Sequence, residues 1–220
     1  MSRHNGNQPE KNALGLRDRK KAETRRRIAH ATVELLVNEG AENTTIARIA
    51  EKAEVSARTF HNYFPHREAA LLFILNQFID EMICMVNAAK PGQRLIVVAE
   101  SIAVNFYSRP AENPNSIETL SRLADHLHGI PPQIRKELFA DDDRSFSNGM
   151  EFFSPLVQAF QQYSEREGRE LSTANALLLI NTVLFAPSIF MELNKAGNST
   201  TEEDIRNAFH LLAGGLSKLG

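Results

Sequence analysis

The sequence predicts an all-α protein, with a small N-terminal helix-turn-helix unit followed by a larger helical body. Three observations carry this. No segment of the 220 residues sustains the alternation of a strand. Apolar residues recur instead at helical spacing between Gly- and Pro-marked breaks. Between Thr44 and Glu68, two short helical patterns flank a tight turn, and the second keeps hydrogen-bonding side chains on its outer side.

Residues 1–16 hold Gly, Asn, Gln and Pro without periodicity and read as a mobile tail. Residues 17–66 form the helix-turn-helix unit. A basic run (Arg17, Arg19, Lys20, Lys21, Arg25, Arg26, Arg27) leads into a first helix over about 19–39, with Ile28, Ala31, Leu35 and Leu36 as its buried stripe and Gly40 as its stop. A second helix covers about 45–52, its apolar face made by Ile46, Ile49 and Ala50. Val55 and Phe60 bracket Ser56 as a hydrophobic staple around an N-cap, which starts a third helix over about 57–63. Pro65 ends it, because proline disfavours helical geometry in the residue before it. The body, 67–220, opens with a long helix over about 67–89. Helical stretches then cover about 94–107, 115–128, 132–165, 172–195 and 202–218, separated by Gly and Pro breaks.

The order Arg27-Ile28-Ala29-His30-Ala31, Leu35-Leu36, Glu39-Gly40, Thr44-Thr45, Ile49-Ala50, Val55-Ser56, Thr59-Phe60, Tyr63-Phe64 and Arg67-Glu68 resembles the N-terminal domain of the tetracycline-repressor (TetR) family of bacterial transcription regulators. The resemblance covers the first third of the chain. It departs from the family pattern at Glu54 (a turn glycine in the family), His66 (a serine cap) and Arg67 (a lysine). It implies that Thr45, Ala57, Arg58, Thr59, His61, Asn62, Tyr63 and Arg67 contact DNA. Side-chain chemistry agrees. Arg58 can donate two hydrogen bonds to guanine, Ala57 can meet a thymine methyl, and His61 can reach a base edge or a phosphate. Thr45, Thr59, Asn62, Tyr63 and Arg67 suit phosphate oxygens. Tyr63 is as well suited to fill the unit's core, and Arg67 to pair with a neighbouring acid. The basic run at 17–27 either follows the DNA backbone or is a solvated face.

Composition is that of a globular protein, 42% hydrophobic and 24% charged, with net charge −2. The charge is unevenly spread: residues 1–67 hold 13 Lys and Arg against 8 Asp and Glu, whereas 68–220 hold 12 against 19. A basic reader on an acidic body fits that asymmetry. The single cysteine, Cys84, rules out an intramolecular disulfide and reads as an inert buried thiol. The polar N-terminus lacks the apolar core of a signal peptide, so a cytoplasmic location is the default. Leu171–Met191 is uncharged over a bilayer's length, but polar residues and Pro187 interrupt it, which favours a helix buried in a core or between subunits over a membrane span.

No phosphate loop, nucleophile elbow or metal-ligand spacing occurs, so nothing asks for an enzyme, a metal or a cofactor. Ile205, Phe209, Leu212, Leu216 and Leu219 are spaced 4, 3, 4, 3, and Leu177, Ile180 and Leu184 make a similar seam. The two helices together suggest a four-helix dimer interface, or a seam within one chain. Phe106, His126, Phe152, Phe153, Asn181 and Phe185 are candidates for an effector pocket, with core filling as the alternative for each phenylalanine. The reading is therefore a homodimeric repressor that binds a palindromic operator and is released by a small-molecule effector of unknown identity. The rivals are a DNA-binding regulator controlled by abundance or a protein partner, and a helical enzyme or carrier.

Overall fold

The protein is described here by a computed structural model, which covers residues 9–110, 113, 115–131, 133–134 and 151–214. Among these residues there are nine α-helices, two short 3-10 turns and no strand. The chain divides into two units, Met1–Leu71 and Leu72–Gly220, with the division inside the fourth helix.

In the first unit, α1 runs Pro9–Glu39. It starts ten residues before the point where apolar periodicity begins, so residues 9–16, read from sequence as tail, are helical. Periodicity reports a buried face, and an exposed helix has none to report. Gly40, at φ 80°, ends the helix in a backbone conformation that L side chains rarely adopt. The 3-10 turn Ala41–Asn43 leads to α2, Ile46–Lys52, and α3, Ala57–Tyr63. Ile28, Ala29, Val33, Ile49, Ala50, Phe60 and Phe64 close the core, each at most 4% exposed. At the rim of this unit, α1 holds α2 through Arg48–Glu39 and Lys52–Glu34, both at 2.6 Å.

The α4 helix, Arg67–Ala88, carries the chain across the division. In the second unit follow α5 (Leu95–Tyr107), α6 (Ile117–Gly129), α7 (Ser154–Arg166), α8 (Thr173–Lys195) and α9 (Glu202–Gly214). The α8 helix packs against α5, α6, α7 and α9, and α9 also packs on α5. Phe78 and Phe106 stack in a tilted pair at 5.4 Å, with Ile102, Leu123, Phe160, Ile180, Val183, Ile205 and Phe209 buried in the same unit. Polar bonds lock α9 to α5: Tyr107 donates to the Thr200 carbonyl at 3.0 Å, and Arg206 pairs with the buried Glu100 at 3.2 Å.

Three expectations need correction. The helix read over 132–165 is not continuous: a 3-10 turn at Glu151–Phe153 precedes a fresh start at Ser154, with Pro155 in the first turn, where its missing N–H costs nothing. Cys84 is exposed rather than buried. Met82 and Val86 occupy the inward stripe of α4, and Cys84, two residues from each, turns outward. Ile180, Ile205 and Phe209, expected at a subunit seam, are at most 1% exposed within the chain itself. The seam from 177 to 184 faces inward. The outward apolar row on α8 is Leu178, Phe185, Ile189 and Leu193, joined on α9 by Leu211 and Leu212. Leu216 and Leu219 lie outside the described residues.

By length and composition α4 and α8 could each cross a bilayer. Half of the apolar window in α4 is buried, and α8 is the hub on which four helices pack.

Candidate nucleic-acid interface and body cavity

The helix-turn-helix is built by two caps and one unusual turn. Thr45 caps α2 by accepting from the Arg48 amide at 3.4 Å, and Ser56 caps α3 by accepting from the Thr59 amide at 3.0 Å. Between them, the Val55 amide reaches back to the Ala50 carbonyl at 2.9 Å and the Glu54 amide to Glu51 at 3.0 Å. That pattern of paired bonds closes a helix through one left-handed residue. Here the residue is Glu54, at φ 52°, and no other described non-glycine residue has a positive φ.

Ala57, Arg58, His61 and Asn62 are exposed along α3, while Phe60 on the opposite side is fully buried. Arg58 and Asn62 make no hydrogen bond or ion pair among the described residues, so their donors are open to a partner. His61 rests edge-on against Phe60, ring centres 5.5 Å apart. Thr45 is exposed; Thr59 and Tyr63 are half-buried. The Thr59 hydroxyl shares a hydrogen bond with Ser56 at 2.8 Å, which leaves one hydroxyl hydrogen of the pair to give elsewhere. Arg17, Arg19, Lys20, Lys21, Arg25, Arg26 and Arg27 are all exposed on α1. Arg25 lies over the Phe64 ring at 5.2 Å, a cation–π contact that seats the end of the basic run on the unit's core.

Arg67 departs from expectation. Its Nη1 donates to the Ala41 carbonyl at 2.7 Å and the Thr44 carbonyl at 3.2 Å, and its Nε to Glu68 at 2.6 Å. Three of the five guanidinium N–H donors are thus engaged by its own chain. They fasten the first turn of α4 to the loop before α2. The neighbouring His66 replaces a serine cap effectively: its Nδ1 accepts from the Ala69 amide at 3.1 Å.

The second unit contains a cavity of about 820 Å³ between α4, α6, the turn at Glu151–Phe153 and α8. Phe152, Phe153, Asn181 and Phe185, four of the six residues expected in a pocket, line it. Phe106 and His126 do not. Phe106 is buried against Phe78, with Arg109 over its other side at 4.3 Å from the ring centre. Leu177 and Leu184, expected between subunits, also line the cavity.

Sequence reasoning missed the floor and the charged end. The floor is Leu75, Phe78, Ile79 and Met82 on α4, legible as an i, i+3, i+4, i+7 stripe but indistinguishable there from ordinary core. At the charged end Lys195 meets Glu118 at 3.1 Å and Glu192 at 2.9 Å, and Arg122 meets Glu118 at 3.1 Å. Burial pushes the Glu118 carboxyl up, but hydrogen bonds from Lys195 and Arg122 outweigh it and hold its pKa below the ordinary value. Lys195 is raised in turn, by Glu192 first and then Glu118. Among the described residues no group of three His, Cys, Asp or Glu could hold a metal.

An all-helical body behind a capped helix-turn-helix defines the chain's class, a helix-turn-helix protein with a separate ligand-sized cavity. Residues 28–72 match the family described as bacterial regulatory proteins, tetR family. Over 81 residues the chain is 36% identical to the HTH-type transcriptional regulator TcmR of Streptomyces glaucescens. That stretch is 37% of this chain and spans only 35% of TcmR.

Among solved structures, the transcriptional regulator FadR from Bacillus subtilis in complex with stearoyl-CoA superposes with a TM-score of 0.58 at 16% identity, over 84% of this chain and 96% of that one. The fatty acid degradation regulator FadR from Bacillus halodurans gives 0.59 at 16% identity, over 88% and 96%. At such identity these likenesses establish the fold.

Proposed function

We propose that the protein is an effector-responsive transcriptional regulator, a homodimer that represses by binding a palindromic operator and lets go when a small molecule fills the body. The observation that carries the DNA-binding part is the outer side of α3. There Arg58, His61 and Asn62 stand exposed on a helix whose inner side is anchored by Phe60. In this reading Arg58 specifies a base, worth about 1–3 kcal/mol against the wrong one. Ala57 and His61 complete the readout, and Thr45, Thr59, Asn62 and Tyr63 position the phosphates. The exposed basic residues of α1 add salt-sensitive affinity.

The cavity supports the effector part, since its size and mostly apolar lining suit a small ligand. That FadR from Bacillus subtilis was solved with stearoyl-CoA is consistent with a ligand in a body of this fold. The floor of the cavity is α4, whose first turn Arg67 fastens to the loop before α2. A ligand that prefers a displaced α4 weakens DNA binding by its differential affinity for the two states, and by no more. The dimer contact in this reading is the exposed row Leu178, Phe185, Ile189 and Leu193 with Leu211 and Leu212. Twofold pairing would set the two α3 helices about one DNA turn apart.

The test is selection of bound duplexes from random DNA by the full-length protein, followed by a compound screen for release. A palindromic consensus is the expected result. Equal retention of all sequences would overturn the reading.

A further inference from the structure

The charge pattern of the body cavity narrows the effector's chemistry, an inference that rests on the effector reading above. Among the described residues two cations line the cavity, Arg122 and Lys195, and both are already engaged by carboxylates, at 3.1 Å to Glu118 and, for Lys195, also 2.9 Å to Glu192. Three carboxylates stand against them, because Asp125 also lines the cavity, exposed and without a hydrogen-bond or ion-pair partner among the described residues.

The polar rungs between α6 and α8 run antiparallel. Glu118 meets Lys195, and one turn on, Ser121 meets Ser188 at 3.1 Å. Asp125, one turn further along α6, and Asn181, on α8, line the same cavity. Asn181 gives one amide hydrogen to the Leu177 carbonyl of its own helix at 2.9 Å, which leaves Oδ1 and the second N–H open. The Asp125 carboxylate and the Asn181 Oδ1 thus offer open acceptors in the same cavity as Phe152, Phe153 and Phe185.

We propose that the cavity takes a cationic amphiphile, an apolar skeleton bearing a protonated amine. Its N–H groups donate to Asp125 and Asn181, and its charge lies against phenylalanine faces. A carboxylate or phosphate head has to share Lys195 with Glu118 and Glu192, in a cavity that also holds Asp125. That sets this cavity apart from one built for an anionic thioester.

Three ten-carbon probes that differ only in head group test the assignment: n-decylammonium, n-decanol and n-decanoate. Each is titrated below its micellar concentration into the full-length protein by calorimetry, with thermal shift alongside. Decylammonium binds about fivefold more tightly than decanol, the upper range for a partly exposed ion pair, and decanoate binds more weakly than either. Asp125→Asn removes the amine's advantage and leaves decanol unchanged; Asp125→Lys reverses the order of amine and acid. Decylammonium binding no better than decanol, or Asp125→Asn weakening all three alike, overturns the assignment while leaving an effector site in place. Failure of all three to bind overturns the assignment and the effector reading together.

Discussion

Replacing Glu54 by glycine should stabilise the helix-turn-helix unit. Glu54 holds φ 52° at the one residue that turns α2 into α3, and its side chain is exposed with no polar partner among the described residues. A left-handed conformation costs a residue with a Cβ about 1–2 kcal/mol. Glycine removes that cost but loses about 0.5–1 kcal/mol more backbone freedom on folding. The balance is a net gain of about 0.5–1 kcal/mol. Hydrogen exchange on the full-length protein reads it directly. The amides of 49–64 that open with the unit should exchange about two- to fivefold more slowly in Glu54→Gly than in wild type. Glu54→Ala keeps the Cβ, so it should stay within about 0.5 kcal/mol of wild type. Equal protection in the Ala and Gly variants, or faster exchange in Glu54→Gly, would refute the strain argument.

Arg67→Ala should destabilise the first unit by about 1–3 kcal/mol, since the Ala41 and Thr44 carbonyls lose a charged donor. Arg58→Ala should leave the melting curve unchanged and relax base preference at one operator position; unchanged stability in Arg67→Ala would return that residue to the DNA interface. Leu178→Glu with Ile189→Glu should convert a dimer to a monomer in sedimentation and abolish operator binding without unfolding the chain. Persistence of the dimer would place the interface elsewhere. Burial, with the Arg26 charge second, holds the His30 imidazole below its ordinary pKa. Its neutral form is thus favoured in the fold, and stability is full above the unfolded value and declines as pH falls through and below it. His30→Gln should flatten the acid limb of the unit's stability curve, measured by hydrogen exchange at stepped pH.

The helix-turn-helix was readable because its signals are local. Ser56, Val55 and Phe60 state a cap and a staple within five residues, and α3 begins and ends where they and Pro65 put it. The N-terminal extension of α1 was not readable, for its residues carry no sustained apolar stripe. Arg67 shows a different limit. Its type suits a phosphate as well as a carbonyl, and only the return of the chain to Ala41 and Thr44 decides between them.

The sequence by itself determined the helical class, the register of α3 and the polarity of charge between the two ends. These follow from spacing and from side-chain chemistry over a few residues. Tertiary structure alone decided which face of α8 turns inward. Leu177, Ile180 and Leu184 satisfy a helical repeat as well as Leu178, Phe185 and Ile189 do, and periodicity cannot say which row meets the neighbours. The packing of α5, α6, α7 and α9 around α8 makes that choice. It buries Ile180, turns Leu177 and Leu184 to the cavity, and leaves Leu178 and Ile189 exposed, while Phe185 both lines the cavity and is exposed.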